Sequence, residues 1–168
     1  MITDSLCPVA WTARRGSFVG LMTLYESNYV RLGWLVPDFA SVVHEQVSNV
    51  PGDCPLTLRL AERSRYTTTL ALTYLFDDPA GVVADPDLEI RIYHDARLAE
   101  VSRCARWHRH EALSSIRSNL GQQLGDRWLR NVMLNKWLDY CVERGHCFTG
   151  NNADQRSTAN SASSANSD

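Results

Sequence analysis

The sequence predicts an α+β fold with two layers, in which a mainly antiparallel sheet of four to five strands is covered on one face by an N-terminal and a C-terminal helix. Three observations predict it. Near both ends of the chain, apolar residues recur at spacings of three and four, as in amphipathic helices. Between them, apolar and polar residues alternate, as in strands with one buried face. The 168 residues, 44% of them hydrophobic, are enough for one core.

The two ends of the chain lie outside the predicted domain. Residues 1–16 carry no continuous apolar run, so we expect a flexible arm and no secretory signal. Residues 149–168 contain no large apolar side chain that could offset the entropy cost of ordering, so we expect a disordered tail. Residues 17–148 are then a single α+β domain.

The two helices are predicted from their apolar stripes. The first runs from Phe18 to Val36 and ends before Pro37, and the last runs from Gly125 to Gly145, a glycine suited to a left-handed position after a helix. The stripes consist of Leu21, Leu24, Tyr25, Tyr29, Leu32 and Leu35 in the first helix, and of Leu129, Met133, Leu134, Trp137, Leu138 and Cys141 in the last. Asn135, Lys136, Asp139 and Glu143 are placed on the polar face.

The first hairpin is predicted from side-chain parity. Even-numbered residues are apolar from Leu56 to Leu60 and again from Leu70 to Phe76, and the chain must reverse between these strands because one strand would be too long for the domain. Keeping even residues on one face after reversal calls for an odd number of loop residues, such as Arg63 to Arg65. The segment from Ser41 to Ser48 is either a further strand or the start of a helix.

The second hairpin follows a polar connection that we expect from Asp77 to Pro86. Its apolar residues are even-numbered before the turn and odd-numbered after it, which a two-residue turn at Asp95-Ala96 satisfies. The predicted pairs are Ile92 with Ala99 and Ile90 with Val101 on the buried face, and Tyr93 with Leu98 and Arg91 with Glu100 on the other.

Several stretches of the chain resemble the YqiB-like family of small proteobacterial proteins, which is defined as a domain of unknown function. They are Glu26-Ser27-Asn28-Tyr29, Leu35-Val36-Pro37, Ser64-Arg65-Tyr66-Thr67-Thr68, Tyr93-His94-Asp95-Ala96 with Ala99-Glu100-Val101, and Asn131, Trp137-Leu138 and Tyr140-Cys141 with Gly145. The chain departs from the family pattern between Arg106 and Gln123. Family members tend to be encoded beside a cyclic-AMP phosphodiesterase and an ADP-ribose pyrophosphatase, so the resemblance implies a link to nucleotide metabolism. It supplies no catalytic residue.

A ligand-binding cluster is predicted on the sheet face that the helices leave uncovered. Arginine beside tyrosine suits a phosphate or carboxylate attached to an aromatic group, and such residues fall on neighbouring strand ends. The candidate residues are Arg91, Tyr93, Arg65 and Tyr66, together with His94 and Glu100. We therefore favour a non-enzymatic module that binds a small anionic, nucleotide-like ligand or a partner protein. The alternatives are a cross-strand ion pair of Arg91 with Glu100, or a solvated polar face.

An enzyme is the second hypothesis, namely a hydrolase or transferase on nucleotide-like substrates with His94 or Glu100 as the base. Adjacent residues of a hairpin point to opposite faces, so His94 and Asp95 suit a turn better than a catalytic dyad. Common phosphate-binding and hydrolase motifs are absent from the sequence. A third hypothesis is a protein adaptor that acts through Arg103 to Gln123.

Other classes of site are disfavoured. His108 and His110, and Cys141 with His146 and Cys147, do not have the spacing of structural zinc ligands, so no metal or cofactor is expected. The net charge of −2 argues against nucleic acid, and we interpret the arginines between Arg103 and Arg130 as a solvated surface. No segment has the ~20 apolar residues of a membrane span. Five irregularly spaced cysteines are typical of a reduced cytoplasmic protein.

Overall fold

The computed structural model describes residues 17–104 and 125–149. The predicted arm, the tail from residue 150 onward and most of the proposed adaptor segment lie outside these ranges, as do His108 and His110. The elements are helix α1 (Phe18–Leu35), a 3₁₀ turn (Phe39–Ser41), strands β1 (Gln46–Ser48), β2 (Leu56–Arg63), β3 (Thr67–Asp78), β4 (Gly81–Tyr93) and β5 (Leu98–Arg103), and helix α2 (Asp126–Glu143).

The five strands form one antiparallel sheet in the order β1-β2-β3-β4-β5, so every strand pairs with its neighbour in the chain. Apolar side chains from both helices join those of the sheet in one core, which includes Leu32, Leu70, Ile90 and Trp137. The predicted α+β fold is therefore confirmed. Of the two structures considered for Ser41 to Ser48, the strand is present, in its last three residues.

Both helices begin and end as the sequence predicts. The Ser17 hydroxyl accepts a hydrogen bond from the Gly20 amide (3.0 Å) and caps the start of α1. After α2, Gly145 adopts a φ of +94°, a left-handed conformation in which a side chain would be strained. The chain then returns to α1, where the Phe148 amide donates to the Leu35 carbonyl (2.8 Å).

The β4–β5 hairpin has the predicted register. Ile92 pairs with Ala99, Ile90 with Val101, Arg91 with Glu100 and Tyr93 with Leu98. The two-residue turn at Asp95-Ala96 is wrong, however: the turn has four residues, His94 to Arg97, and Arg97 adopts a left-handed φ of +53°. Side-chain parity thus predicts this part of the sheet correctly.

In the β2–β3 hairpin the predicted apolar residues share one face of the sheet, but a bulge and not the loop length makes this possible. Leu60 pairs with Leu70, but the register then shifts, and Arg63 belongs to β2 and pairs with Thr68. The predicted loop from Arg63 to Arg65 is therefore wrong, because four residues, Ser64 to Thr67, separate the paired residues Arg63 and Thr68. A bulge between Leu60 and Glu62 adds one residue to β2, which restores the parity that an odd loop would have supplied.

The polar connection from Asp77 to Pro86 is also wrong. β3 continues to Asp78 and β4 begins at Gly81, so most of this stretch forms a long antiparallel ribbon. Ladder hydrogen bonds join backbone groups, so exposed polar residues can form strands without a buried face. The register shifts near Pro86, which has no N–H to offer to the ladder.

Side chains from both helices complete the outer edge of β5. The Val101 amide donates to Asn131 Oδ1 (3.0 Å), and Asn28 Nδ2 lies 3.4 Å from the Ala99 carbonyl oxygen. Asn135 Nδ2 in turn donates to Asn28 Oδ1 (3.0 Å). All three asparagines are fully buried, so the placement of Asn135 on a polar helix face is wrong. The three asparagines provide hydrogen-bond partners for backbone groups on the outer edge of β5 and join both helices to the sheet.

Candidate functional site

A pocket lies at one end of the sheet, between the second half of α1, the 3₁₀ turn, the β2–β3 loop and the β4–β5 turn. Its volume is about 640 Å³. The residues that matter for its chemistry are Tyr29, Trp34, Phe39, Arg65, Thr68 and His94. Segments far apart in the sequence therefore meet here, which is typical of a ligand site.

Aromatic side chains form one wall of the pocket. The rings of Tyr29 and Phe39 are 5.7 Å apart, and those of Phe39 and His94 are 6.0 Å apart. Trp34 lies on the same rim with 44% of its surface exposed, and the guanidinium of Arg31 sits 5.7 Å from its ring centre. A row of rings beside an exposed tryptophan offers flat apolar surface to a bound molecule.

Arg63 holds the segment that carries Phe39. Its guanidinium donates to the carbonyls of Phe39 (2.7 Å), Val42 (3.0 Å) and Ala40 (3.3 Å). These hydrogen bonds fix the 3₁₀ turn against the end of β2. Because its donors serve the backbone, we interpret Arg63 as a positioning residue.

Arg65 stands at the tip of the ordered β2–β3 loop. The Ser64 amide donates to the Thr67 carbonyl (2.8 Å), and the His94 amide donates to the Tyr66 carbonyl (3.0 Å), which ties this loop to the β4–β5 turn. The Arg65 guanidinium lies 5.0 Å from the centre of the Tyr66 ring. In the ranges 17–104 and 125–149, none of the ion pairs involves Arg65.

His94 enters the pocket from the β4–β5 turn. Its Nε2 lies 2.8 Å from the hydroxyl of Thr68, which is buried on β3. This hydrogen bond orients the imidazole ring and leaves Nδ1 as its second polar atom. His94 thus faces a hydroxyl and not a carboxylate, unlike the base of a histidine–carboxylate pair.

Arg91, Tyr93 and Glu100 form a separate group on β4 and β5. The Tyr93 hydroxyl donates to Glu100 Oε1 (2.8 Å). Burial and Glu100 raise the pKa of Tyr93 more than Arg91 lowers it. Tyr25 of α1 also belongs to this group, because burial and the Glu100 carboxylate raise its pKa to about 12.

The six candidate residues from the sequence therefore fall into two sets. Arg65 and His94 line the pocket, with Tyr66 against Arg65, whereas Arg91, Tyr93 and Glu100 lie together on the strands. The second face of the sheet is also less open than expected. Thr57, Thr69 and Ala71, which alternate with the core leucines, are all less than 9% exposed.

Sequence reasoning missed the aromatic wall of the pocket, which consists of Tyr29, Trp34 and Phe39. Tyr29 was assigned to the core stripe of α1, and Trp34 lies off that stripe. A signal did exist, because Tyr29, Arg65 and His94 come from three of the stretches that carry the family resemblance. Only the folded chain shows that these stretches meet.

A second polar cluster lies at the opposite side of the core, around Asp53. Asp53 Oδ2 accepts from the Tyr74 hydroxyl (3.2 Å) and Arg144 Nε (3.2 Å), and His146 Nε2 lies 3.5 Å away. His146 Nδ1 lies 3.0 Å from the Ser48 hydroxyl. The order of carboxylate, imidazole and hydroxyl resembles that of a hydrolase triad. Ser48 is only 6% exposed, so we interpret the cluster as a structural tie for the end of the domain.

Both pKa values in this cluster are lowered, which favours the charged form of Asp53 and the neutral form of His146. Burial alone would raise the pKa of Asp53, but hydrogen bonds from Cys54, Arg144 and Tyr74, with His146 nearby, hold it below its usual range. Burial lowers the pKa of His146, and Asp53 offsets only part of this effect. The cluster therefore holds an ionised carboxylate beside a neutral imidazole at neutral pH.

Three further findings concern the described part of the chain. No group of three or more His, Cys, Asp or Glu side chains in it could hold a metal ion. Its helices are too short or too polar to cross a membrane. Cys54, Cys141 and Cys147 are free thiols.

Comparison with known proteins identifies relatives of the chain. A family model described as "Protein of unknown function (DUF1249)" matches residues 31–147. The chain is similar to "Uncharacterized protein YqiB" of Escherichia coli strain K12 and of Escherichia coli O157:H7, with 28% identity over 131 residues, which are 76% of this chain and 90% of each relative. No solved structure matches.

Proposed function

Since the chain belongs to the DUF1249 family of proteins of unknown function, we propose a function from its own pocket, namely that the protein is a non-enzymatic module that binds a small molecule with a flat ring. The pocket between α1 and the two hairpin ends is the binding site. The observation that carries the proposal is the row of rings from Tyr29 through Phe39 to His94, beside the exposed Trp34.

The pocket has the features of a small-molecule site. Its volume of about 640 Å³ lies within the range of ligand pockets, roughly 300–1,000 Å³. Polar groups from Arg65, Thr68 and His94 converge on an otherwise largely apolar wall. A tryptophan left 44% exposed beside a concave surface costs hydration free energy that a bound ring would recover.

Binding without turnover is favoured by the hydrogen bonds of the candidate base. His94 pairs with Thr68, a neutral group that cannot stabilise an imidazolium as a carboxylate does. Glu100, the other candidate base, accepts from Tyr93 and belongs to the separate group on β4 and β5. The free thiols of Cys54, Cys141 and Cys147, in the described part of the chain, support a reducing compartment, so a cytoplasmic location is part of the proposal.

The test is a fragment screen read by the indole N–H signals of the protein, which has five tryptophans. The Trp34→Phe variant assigns the Trp34 signal, and the fully buried Trp137 serves as the internal reference. We expect flat aromatic fragments to shift the Trp34 signal and to leave that of Trp137 in place.

The control for Phe39→Ala, which removes the middle ring of the row, is Val82→Ala, which shortens an exposed apolar side chain on the β3–β4 ribbon outside the pocket lining. Loss of the shifts in Phe39→Ala but not in Val82→Ala supports the pocket. A screen that moves no indole signal, or shifts that survive Phe39→Ala unchanged, would refute it.

A further inference from the structure

We propose that the ligand carries a carboxylate or phosphate on its aromatic ring, and that Arg65 and His94 bind this anionic group. The inference rests on the proposed function of the pocket and goes further by naming the class of ligand. The residues come from two hairpin ends that the structure brings to one rim, the β2–β3 loop and the β4–β5 turn.

Arg65 is the arginine of the pocket whose donors remain available to a ligand. Arg63 donates to three backbone carbonyls, and the nearby Asp38 carboxylate accepts from the Ala40 amide (2.9 Å). The Arg65 guanidinium carbon lies over the Tyr66 ring, and in the described ranges Arg65 is absent from the ion pairs. A cation–π contact uses no oxygen acceptor, so the guanidinium N–H groups remain able to donate to a carboxylate or phosphate.

His94 supplies the second donor. The Thr68 hydroxyl can donate to Nε2 (2.8 Å), and the proton of the neutral imidazole then lies on Nδ1. An anion can accept a hydrogen bond from that Nδ1–H. The His94 ring also lies 6.0 Å from the Phe39 ring, tilted by 50°, so the anion site and the ring site are adjacent.

The backbone segments that carry the two donors are joined to each other in the absence of a ligand. The hydrogen bond from the His94 amide to the Tyr66 carbonyl (3.0 Å) joins the loop of Arg65 to the turn of His94. The Ser64 and Thr67 hydroxyls, 2.6 Å apart, close the loop itself. Binding therefore loses less conformational entropy than it would on a mobile loop, which favours a defined anionic group over diffuse attraction.

Matched anionic and neutral compounds test the inference by titration followed at the Trp34 indole signal. The probes are indole-3-carboxylate with indole-3-carboxamide, and phenyl phosphate with phenol. We expect at least one acid to bind ~10-fold more tightly than its neutral partner, as one charge-assisted hydrogen bond allows. Arg65→Gln should reduce the acid to the affinity of its neutral partner, and His94→Gln should remove part of the difference.

Arg91→Gln is the matched control, because Arg91 is also an exposed arginine beside a tyrosine but belongs to the group on β4 and β5. It should leave the acid preference intact. Equal binding of acids and neutral partners would overturn the anion inference while the pocket itself stands. Loss of the preference in Arg91→Gln, with Arg65→Gln unchanged, would also overturn it, because the anion site would then lie on the sheet. Binding of no probe at all, with no fragment hit, would refute both proposals.

Discussion

Asn131 offers the sharpest test of how the helices are joined to the sheet. Its Oδ1 accepts from the buried Val101 amide (3.0 Å) and from Asn28 Nδ2 (3.3 Å), and its Nδ2 donates to the Arg127 carbonyl (2.9 Å). Asn131→Ala removes all three contacts at a position with no solvent exposure. No water can easily replace the acceptor for the Val101 amide.

The expected loss follows from these partners. A buried donor left without an acceptor costs about 1–3 kcal/mol, and the Val101 amide pays this in full. Asn28 Nδ2 loses its acceptor only in part, because it keeps the Ala99 carbonyl at 3.4 Å. Alanine returns about 0.5 kcal/mol through its higher helix propensity. We expect the free energy of unfolding to fall by about 1–3 kcal/mol.

Two measurements check this expectation. Urea denaturation gives the change in stability, and hydrogen exchange at the Val101 amide shows whether the edge of β5 has opened. Arg127→Ala, at an exposed position one turn earlier in α2, is the control and should change stability by no more than about 0.5 kcal/mol. A fall below about 1 kcal/mol, with the Val101 amide still protected, would show that the asparagine network is not what stabilises this edge.

Three further predictions concern other parts of the core. Burial lowers the pKa of His146 from 6.5, so on acidification the imidazole takes up a proton in the unfolded chain before it does so in the folded protein. The free energy of unfolding should therefore decline as the pH falls below about 6.5, and it should decline less in His146→Gln. Asp139→Ala leaves the 4%-exposed Arg31 side chain without its 2.7 Å ion pair and should cost about 2 kcal/mol, with a smaller loss in Asp139→Asn. Gly145→Ala should cost about 1 kcal/mol because its φ is +94°.

Denaturant melts decide each of these cases. For His146, melts at intervals between pH 7.5 and pH 5 are compared in parent and variant, and identical slopes would contradict the expected proton uptake. Protonation of Asp53, whose pKa is lowered from 3.8, begins below pH 5 and therefore does not contribute to the slope measured between pH 7.5 and pH 5. An unchanged midpoint in Asp139→Ala would mean that Arg31 finds another partner. A more stable Gly145→Ala would mean that the turn after α2 can relax out of the left-handed conformation.

Much of the fold could be predicted because parity and periodicity are local properties. Alternating residues decide which face of a strand is buried, and this was enough for the register of β4 with β5, where Ile92 meets Ala99. The bulge between Leu60 and Glu62 was not predictable, because an extra residue in β2 and an odd loop preserve the same parity. The ribbon from Asp77 to Val83 was missed because exposed strands bury no face.

The helices show the same division. Their positions follow from apolar spacing, but Asn28, Asn131 and Asn135 are buried against expectation. A buried asparagine looks like a surface residue in sequence, because its partner is the backbone of a strand far along the chain. Burial of these asparagines is favourable only when the backbone of β5 provides their hydrogen-bond partners.

The site was predicted in part for the same reason. Arg65 and His94 could be named from the sequence because arginine and histidine near turns are chemically distinctive. Their separation from Arg91 and Glu100, and their meeting with Phe39, depend on loop conformation and on how α1 crosses the end of the sheet. The sequence by itself determined the class of fold and singled out Arg65 and His94 as candidate residues. Only the tertiary structure decided that these two share a pocket, because contacts between distant segments have no local pattern.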